Sequence, residues 1–192
     1  EMCIRDRDMN VEKSQKGAHS GVMKRKIYQQ LLDWKNKRNG EVALLVEGAR
    51  RIGKSYIVEE FGKNEYESYI LIDFNKAPQM VRDWFDLYLE DLDMLFLYLS
   101  QHYKVRLHER KSLIILDEVQ LCPRARAAIK FLVADGRYDY IETGSLVSIK
   151  KNTQGIVLPS EERPIQMYPM DFEEFLMALG EDQLLKLMHN HD

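Results

Sequence analysis

The chain has 192 residues, a formal net charge of −3, 45% hydrophobic residues and 31% charged residues, a composition typical of one folded α/β domain with a sizeable core. It excludes a disordered chain and argues against a surface that coats nucleic acid. Cys3 and Cys122 lie far apart and lack metal-ligand spacing, which favours a reducing cytoplasm over a disulfide framework. The apolar runs are too short to cross a bilayer and no secretory signal is visible, so we expect no membrane partner.

Residues 1–8 show neither helical nor strand periodicity and are left out of the fold prediction. The stretch Glu1–Arg7 is similar to translated sequencing-adapter read-through, which would make Met9 or Met23 the natural initiator. We therefore predict that residues 1–22 form a disordered or artefactual extension.

Apolar residues recur at helical spacing after Met23 and predict a first helix that ends at Asn39-Gly40. These residues are Ile27, Leu31, Leu32 and Trp34. The apolar run Val42–Val46 then predicts a buried strand. The segment Gly48–Ser55, with the sequence GARRIGKS, follows this strand directly and matches the G-x-x-x-x-G-K-[ST] pattern of a phosphate-binding loop.

Each residue type in this loop suits a phosphate chain. Gly48 and Gly53 let the main chain turn its N–H groups inward, Lys54 can reach the β and γ phosphates, and the Ser55 hydroxyl can ligate Mg²⁺. A glycine-containing turn with an incidental lysine is the structural alternative. The predicted nucleotide-binding residues are Gly48, Ala49, Arg50, Arg51, Ile52, Gly53, Lys54, Ser55 and Tyr56.

A short helix is predicted after Ser55 and should end at Gly62, with its positive N-terminus directed at the phosphates. A second strand over Ser68–Phe74 and a long helical zone over Gln79–His108, containing two helices, come next. The apolar run that begins at Leu113 then predicts a third strand.

This third strand ends in two carboxylates, Asp117 and Glu118. The carboxyl ends of parallel strands face the ligand crevice, so this pair is expected opposite the phosphate loop. Asp117 is predicted to hold Mg²⁺, mostly through water, and Glu118 to polarise the water that attacks the γ-phosphate. The alternative is that the pair merely caps the next helix.

The remaining elements continue the alternation of helices and strands. They are a helix over Pro123–Asp135, a strand over Tyr138–Thr143, a mobile loop or hairpin over Lys150–Glu162, a strand over Ile165–Tyr168, and helices over Phe172–Leu179 and from Asp182. Asp171 and Glu174 have the spacing of a capping box. Because the strands are apolar without alternation, the chain predicts a parallel three-layer α/β fold over residues 23–180, with residues 181–192 beginning a truncated C-terminal region.

These motifs resemble the prokaryotic AAA-type ATPases of the AAA_14 family, which usually precede a DUF4143 domain. The resemblance covers roughly Met23–Leu179. It rests on Gly48–Ser55, Leu116–Gln120, Thr143–Ser145 and the segment from Arg163 through Phe175.

The resemblance implies a P-loop NTPase with a five-stranded sheet in the order 5-1-4-3-2. It also implies that a polar residue at the end of the fourth strand reads the γ-phosphate, which corresponds to Thr143, with Ser145 as the second choice. A hydrogen-bonded turn is the alternative for these two residues. The chain departs from the family pattern at Glu162, where members usually have glycine, and at Asp171, where serine is common; we expect neither departure to touch the phosphate site.

We therefore predict an ATP-binding, Mg²⁺-dependent ATPase in which Lys54, Glu118 and Thr143 are catalytic and Ser55 and Asp117 hold the metal. Adenine is implied by the resemblance, since no N-K-x-D-like guanine reader is visible. The arginine that phosphoryl transfer commonly uses is left open among Arg50, Arg51, Arg124, Arg126 and Arg163.

Two other functions stay open. The chain could be a nucleotide-operated switch with little turnover, acting in a homo-oligomer or on a partner protein. It could also belong to a nucleic-acid-handling ATPase, which only the basic runs Lys24–Lys26 and Lys35–Arg38 support. Such runs are usually solvated helix faces.

Overall fold

The computed structural model describes residues 25–38, 40–145 and 160–189. The predicted extension over residues 1–22, and residues 150–159 of the predicted loop, lie outside these ranges. Within them the chain alternates strands and helices. The elements are α1 Lys26–Arg38, β1 Ala43–Gly48, α2 Lys54–Glu65, β2 Ser68–Asp73, α3 Gln79–Leu87, α4 Leu92–Tyr103, β3 Ser112–Asp117, a 3-10 turn Val119–Leu121, α5 Pro123–Asp135, β4 Asp139–Ser145, β5 Glu162–Met167, α6 Phe172–Leu179 and α7 Asp182–His189.

The described strands form one parallel five-stranded sheet in the order β2-β3-β4-β1-β5. This order confirms the predicted fold class. Strand β4 lies between the strand that leads into the glycine-flanked loop and the strand that ends in Asp117. All strand carboxyl ends therefore meet at one edge, where the polar residues that follow each strand lie together.

Helices cover both faces of this sheet. On one face, α1 and α2 pack on a cluster that includes Leu44, Val46 and Ile115. On the other, α3, α4 and α5 pack on a cluster that includes Leu45, Ile72 and Leu116. Neighbouring residues of one strand thus belong to opposite cores, and this explains why the strand sequences are apolar without alternation. No helix in the described part of the chain is long and apolar enough to span a bilayer.

The end of α2 differs from its prediction, whereas the cap of α6 agrees with its prediction. Helix α2 does not end at Gly62 but continues to Glu65. A Cβ added at Gly62 would lie 3.1 Å from the ring of Tyr69, so the glycine serves close packing of α2 on β2 rather than helix termination. The capping box of α6 is present as predicted, with Asp171 accepting from the Glu174 N–H and Glu174 accepting from the Asp171 N–H.

A charged cluster is buried between the sheet and α5. Arg126 of α5 makes a two-point ion pair with Glu162 of β5, with N–O distances of 3.1 and 2.8 Å. Glu162, where the sequence was expected to depart from the family pattern, pairs in register with Ala43, at the end of β1 far from the loop. The expectation that this departure does not touch the phosphate site agrees with that position.

Glu142 of β4 completes this cluster and is fully buried. Neither of its oxygens receives a hydrogen bond from a described N–H or O–H group, while its carboxyl lies within hydrogen-bonding reach of Glu162. Burial raises the pKa of Glu142 well above its usual range, the charge of Glu162 raises it further, and Arg126 opposes both effects. A protonated Glu142 leaves the Arg126–Glu162 pair electrically balanced inside the core.

We expect the Glu142→Gln variant to change how stability depends on pH. Because the folded pKa of Glu142 is raised, its stabilising contribution is complete below the unfolded pKa and is lost as pH rises toward the folded pKa, by up to about 1.4 kcal/mol per pH unit. Glutamine keeps a donor for Glu162 and cannot ionise. Urea unfolding between about pH 5 and about pH 8 should show a flatter profile for Glu142→Gln than for the parent. The control is Glu90→Gln at an exposed glutamate; identical profiles for parent and Glu142→Gln would contradict the assignment.

Candidate functional site

The glycine-flanked loop is built at the end of β1. Gly48 is paired in register with Met167 of β5, and a Cβ added to it would lie 2.3 Å from the Met167 carbonyl oxygen. No other residue fits this approach of two backbones. Gly53 has a φ of 92° and Arg51 a φ of 62°, both in the left-handed region. Left-handed residues in such a loop are typical of backbone that gathers successive N–H groups around an anion.

Helix α2 starts immediately after this loop, at Lys54. Its first N–H groups lack partners within the helix, and the helix dipole adds partial positive charge at this end. The predicted binding residues Ala49, Arg50 and Arg51 are exposed, Ile52 is half-buried, and Tyr56 is exposed on the first turn of α2. The structure therefore places the whole predicted loop at one accessible helix N-terminus.

Lys54 is held by the loop itself. Its Nζ donates to the carbonyl oxygen of Ala49 at 2.7 Å and to that of Gly48 at 3.3 Å. An ammonium group has three N–H donors, so these contacts fix its position and leave one donor for an anion. Burial lowers the pKa of Lys54, whereas the charges of Glu118 and Asp117 oppose that effect. The amine thus lies in contact with the loop and under the electrostatic influence of the acidic end of β3.

The acidic strand and the loop converge through hydroxyl groups. The Ser55 Oγ donates to Asp117 Oδ1 at 2.8 Å, and the Thr143 Oγ1 donates to the same oxygen. Thr143 also accepts from the Glu118 N–H at 3.1 Å. The sequence predicted that these four residues belong to one site, and the structure brings them together. Ser145, the second choice for Thr143, lies at the end of β4 in register with Gly48.

Glu118 has the left-handed φ of 54°, unusual for a residue other than glycine. Backbone strain of this kind costs on the order of 1 kcal/mol and is concentrated at functional sites. The conformation turns the Glu118 side chain out of the strand, where its carboxylate accepts a hydrogen bond from Gln120 Nε2. Sequence reasoning assigned Gln120 no role, although it lies inside the motif that carries the family resemblance.

Burial raises the pKa of Asp117, and the nearby charges of Asp73 and Glu118 add to this effect, while the Thr143 and Ser55 hydroxyls lower it. Asp73 belongs to the neighbouring strand β2 and is paired in register with Asp117. Carboxylates concentrated in this way are stabilised by a cation. Sequence reasoning missed Asp73, although a strand that ends in aspartate was a visible signal.

The residues present fit Mg²⁺. The Ser55 hydroxyl and the Asp117 carboxylate already lie in contact, and Mg²⁺ commonly binds one or two protein oxygens together with phosphates and water. Among the described residues there is no cluster of three or more histidine, cysteine, aspartate or glutamate side chains that could enclose a metal.

The basic residues singled out from the sequence have specific contacts. Arg126 is committed to Glu162, and Arg124 forms an ion pair with Asp86 at 3.2 Å. Lys37 pairs with Asp33, and Lys35 donates to the Glu65 carbonyl. These contacts give no support to a continuous basic surface for nucleic acid. Arg50, Arg51 and Arg163 are exposed.

A parallel sheet with this strand order, a glycine-flanked loop at the end of β1 and an acidic strand two positions away defines a P-loop nucleotide-binding module. The sequence model of the AAA_14 family, described as an AAA domain, matches residues 41–176. The chain belongs to this family.

One solved structure that the chain is similar to is that of C. elegans PCH-2, with a TM-score of 0.40 and 11% sequence identity over 85% of this chain and 43% of that chain. The matched part of this chain therefore spans less than half the length of that chain. None of the curated proteins matches the chain.

We expect Thr143→Val to destabilise the protein by about 1 to 3 kcal/mol, because the isosteric change removes a buried hydroxyl that accepts from the Glu118 N–H and donates to the buried Asp117 Oδ1. Urea unfolding measures the loss. Thr143→Ser keeps the hydroxyl and serves as the matched control. Equal losses in the two variants would show that methyl packing, and not the hydroxyl, matters at this position.

Proposed function

We propose that this module binds ATP together with Mg²⁺ and hydrolyses the bond between the β and γ phosphates. The observation that supports this most is the convergence of Ser55, Asp117 and Thr143, together with the electrostatic effect of Asp117 on the loop residue Lys54. Such a site offers a cation, metal-binding oxygens and hydrogen-bonding groups within one small volume, which is what phosphoryl transfer requires.

Phosphate binding would be shared by the backbone and Lys54. The loop and the first turn of α2 contribute main-chain N–H groups, and Lys54 contributes the donor that its two loop carbonyls leave available. Since these groups are held in place before the substrate arrives, little reorganisation is needed as charge develops on the phosphate oxygens.

Ser55 and Asp117 are the residues that would hold Mg²⁺. A Mg²⁺ ion held by these two residues would supply positive charge that offsets the charge developing on the phosphate oxygens. The Thr143 hydroxyl fixes the orientation of the Asp117 carboxylate through its hydrogen bond. Thr143 thereby supports the metal ligand as well as standing where a γ-phosphate contact is predicted.

Glu118 would act on the attacking water. Its carboxylate can accept a proton as the water oxygen bonds to the γ-phosphorus and the bond to the β-phosphate oxygen breaks, giving ADP and inorganic phosphate. Gln120 and the left-handed backbone at residue 118 fix the direction of this side chain. The exposed Arg50, Arg51 and Arg163 remain candidates for a stabilising arginine, within one chain or between the subunits of a homo-oligomer.

We expect Glu118→Gln to lower ATP turnover by a factor of about 100 or more while ATP affinity changes less than about threefold, because the amide keeps the shape but cannot accept the proton. Phosphate release and titration with a fluorescent ATP analogue measure these two quantities. Lys54→Ala is the matched control, since it should weaken binding itself. If the parent and Glu118→Gln bind ATP equally and neither turns it over, the nucleotide-operated switch is the better description.

Turnover should also require Mg²⁺. We expect a chelator to abolish phosphate release and Ser55→Ala to raise the Mg²⁺ concentration for half-maximal turnover by about tenfold, because one of the two protein oxygens is removed. Titration of Mg²⁺ at constant ATP measures the shift. Ser68→Ala, which changes a serine at the start of β2, is the control. Phosphate release that continues in the chelator would exclude this arrangement of ligands.

A further inference from the structure

Arg25 is a buried cation that connects the phosphate loop to the C-terminal part of the described chain. It precedes α1 and is 7% exposed. Its Nη1 donates to the Ile52 carbonyl at 3.2 Å and its Nη2 to the Tyr168 carbonyl at 2.8 Å. Its Nε lies 3.3 Å from Glu174 Oε1 in an ion pair buried on both sides. One rigid guanidinium group therefore contacts the loop, the β5–α6 connection and α6.

The contact with Ile52 determines the direction of a peptide group in the loop. A peptide bond is planar and trans, so the carbonyl of Ile52 and the N–H of Gly53 point in opposite directions. While Arg25 holds that carbonyl, the Gly53 N–H must point away from Arg25. Gly53 is left-handed and Lys54 begins α2, so this N–H belongs to the backbone that surrounds the predicted phosphate position.

The other end of this connection is Glu174, and both of its carboxylate oxygens have partners. Its Oε1 accepts the Lys26 N–H at 2.7 Å in addition to the contact with Arg25, and its Oε2 accepts the Asp171 N–H in the capping box. The residue that caps α6 thus also receives the cation that holds the loop. A displacement of α6 would move Glu174 and, through the ion pair, Arg25. A rotation of the Ile52 peptide would in turn displace Arg25 and Glu174.

We propose that Arg25 is a positioning residue of the nucleotide site, which orients the Gly53 N–H toward the phosphates and couples nucleotide binding to the placement of α6. The inference rests on the proposed function of the loop, since it assigns Arg25 a role in that same site. The reciprocity of coupled equilibria requires that nucleotide binding stabilises α6 and that an ordered α6 strengthens nucleotide binding.

The test measures affinity for Mg²⁺-ATP in the full chain and in the variants Arg25→Ala and Arg25→Lys. Arg25→Ala should weaken binding at least about tenfold, because a charge-assisted hydrogen bond to the loop is lost. Arg25→Lys keeps the charge beside Glu174 but lacks the planar fork, and it should weaken binding at least about threefold. Lys26→Ala is the matched control: this neighbouring residue makes exposed ion pairs with Asp171 and Glu173 and does not contact the loop, so affinity should stay within about twofold.

Hydrogen exchange supplies the readout that simple destabilisation would not change. Saturating nucleotide should protect amides of both α2 and α6 in the parent and in Lys26→Ala. In Arg25→Lys, saturating nucleotide should protect α2 while protection of α6 falls by at least about half. Parent-like affinity in both Arg25 variants, or nucleotide protection of α2 without α6 in the parent, would overturn the inference and leave the proposed function intact. A parent chain that binds no nucleotide would overturn both.

Discussion

The carboxylate of Asp117 is the point on which the geometry of the site depends, because one of its oxygens accepts hydroxyl groups from both Ser55 and Thr143. These residues come from β3, α2 and β4, and they meet in a sheet in which β4 lies between β1 and β3. Side chains alternate between the two faces of a sheet, so a slip of one residue between β3 and β4 would move Thr143 to the α5 face. The geometry of the site therefore depends on both the strand order and the register of the sheet.

Two basic side chains with different properties restrain the glycine-flanked loop. Lys54 lies inside the loop and donates to the carbonyls of Gly48 and Ala49, which leaves one of its three N–H donors without a loop partner. Arg25 lies outside and holds Ile52 through a rigid, planar group. Rigid support of this kind would lower the ordering cost if the loop binds phosphate as proposed.

Features encoded by short sequence spacing were predictable, and features that depend on distant residues were not. The loop, the acidic strand and the capping box of Asp171 and Glu174 each lie within a few residues, and their patterns specify their geometry. Arg25 and Tyr168 are 143 residues apart, and their contact appears only once the sheet is assembled. The sequence at Arg25 is simply a basic run, which fits a solvated surface equally well.

The buried position of Glu142 was likewise not predictable from the local sequence, because it lies in the sheet interior where an apolar residue normally stands. At Gly62 the sequence prediction was wrong. Glycine often ends helices, but here it brings α2 close to Tyr69. Arg126 and Glu162 form a buried ion pair whose two charges cancel while the neighbouring Glu142 is protonated. Removing Glu162 alone would leave the buried Arg126 guanidinium without a counter-charge, so a neutral residue at position 162 is compatible with this core only if position 126 is neutral as well.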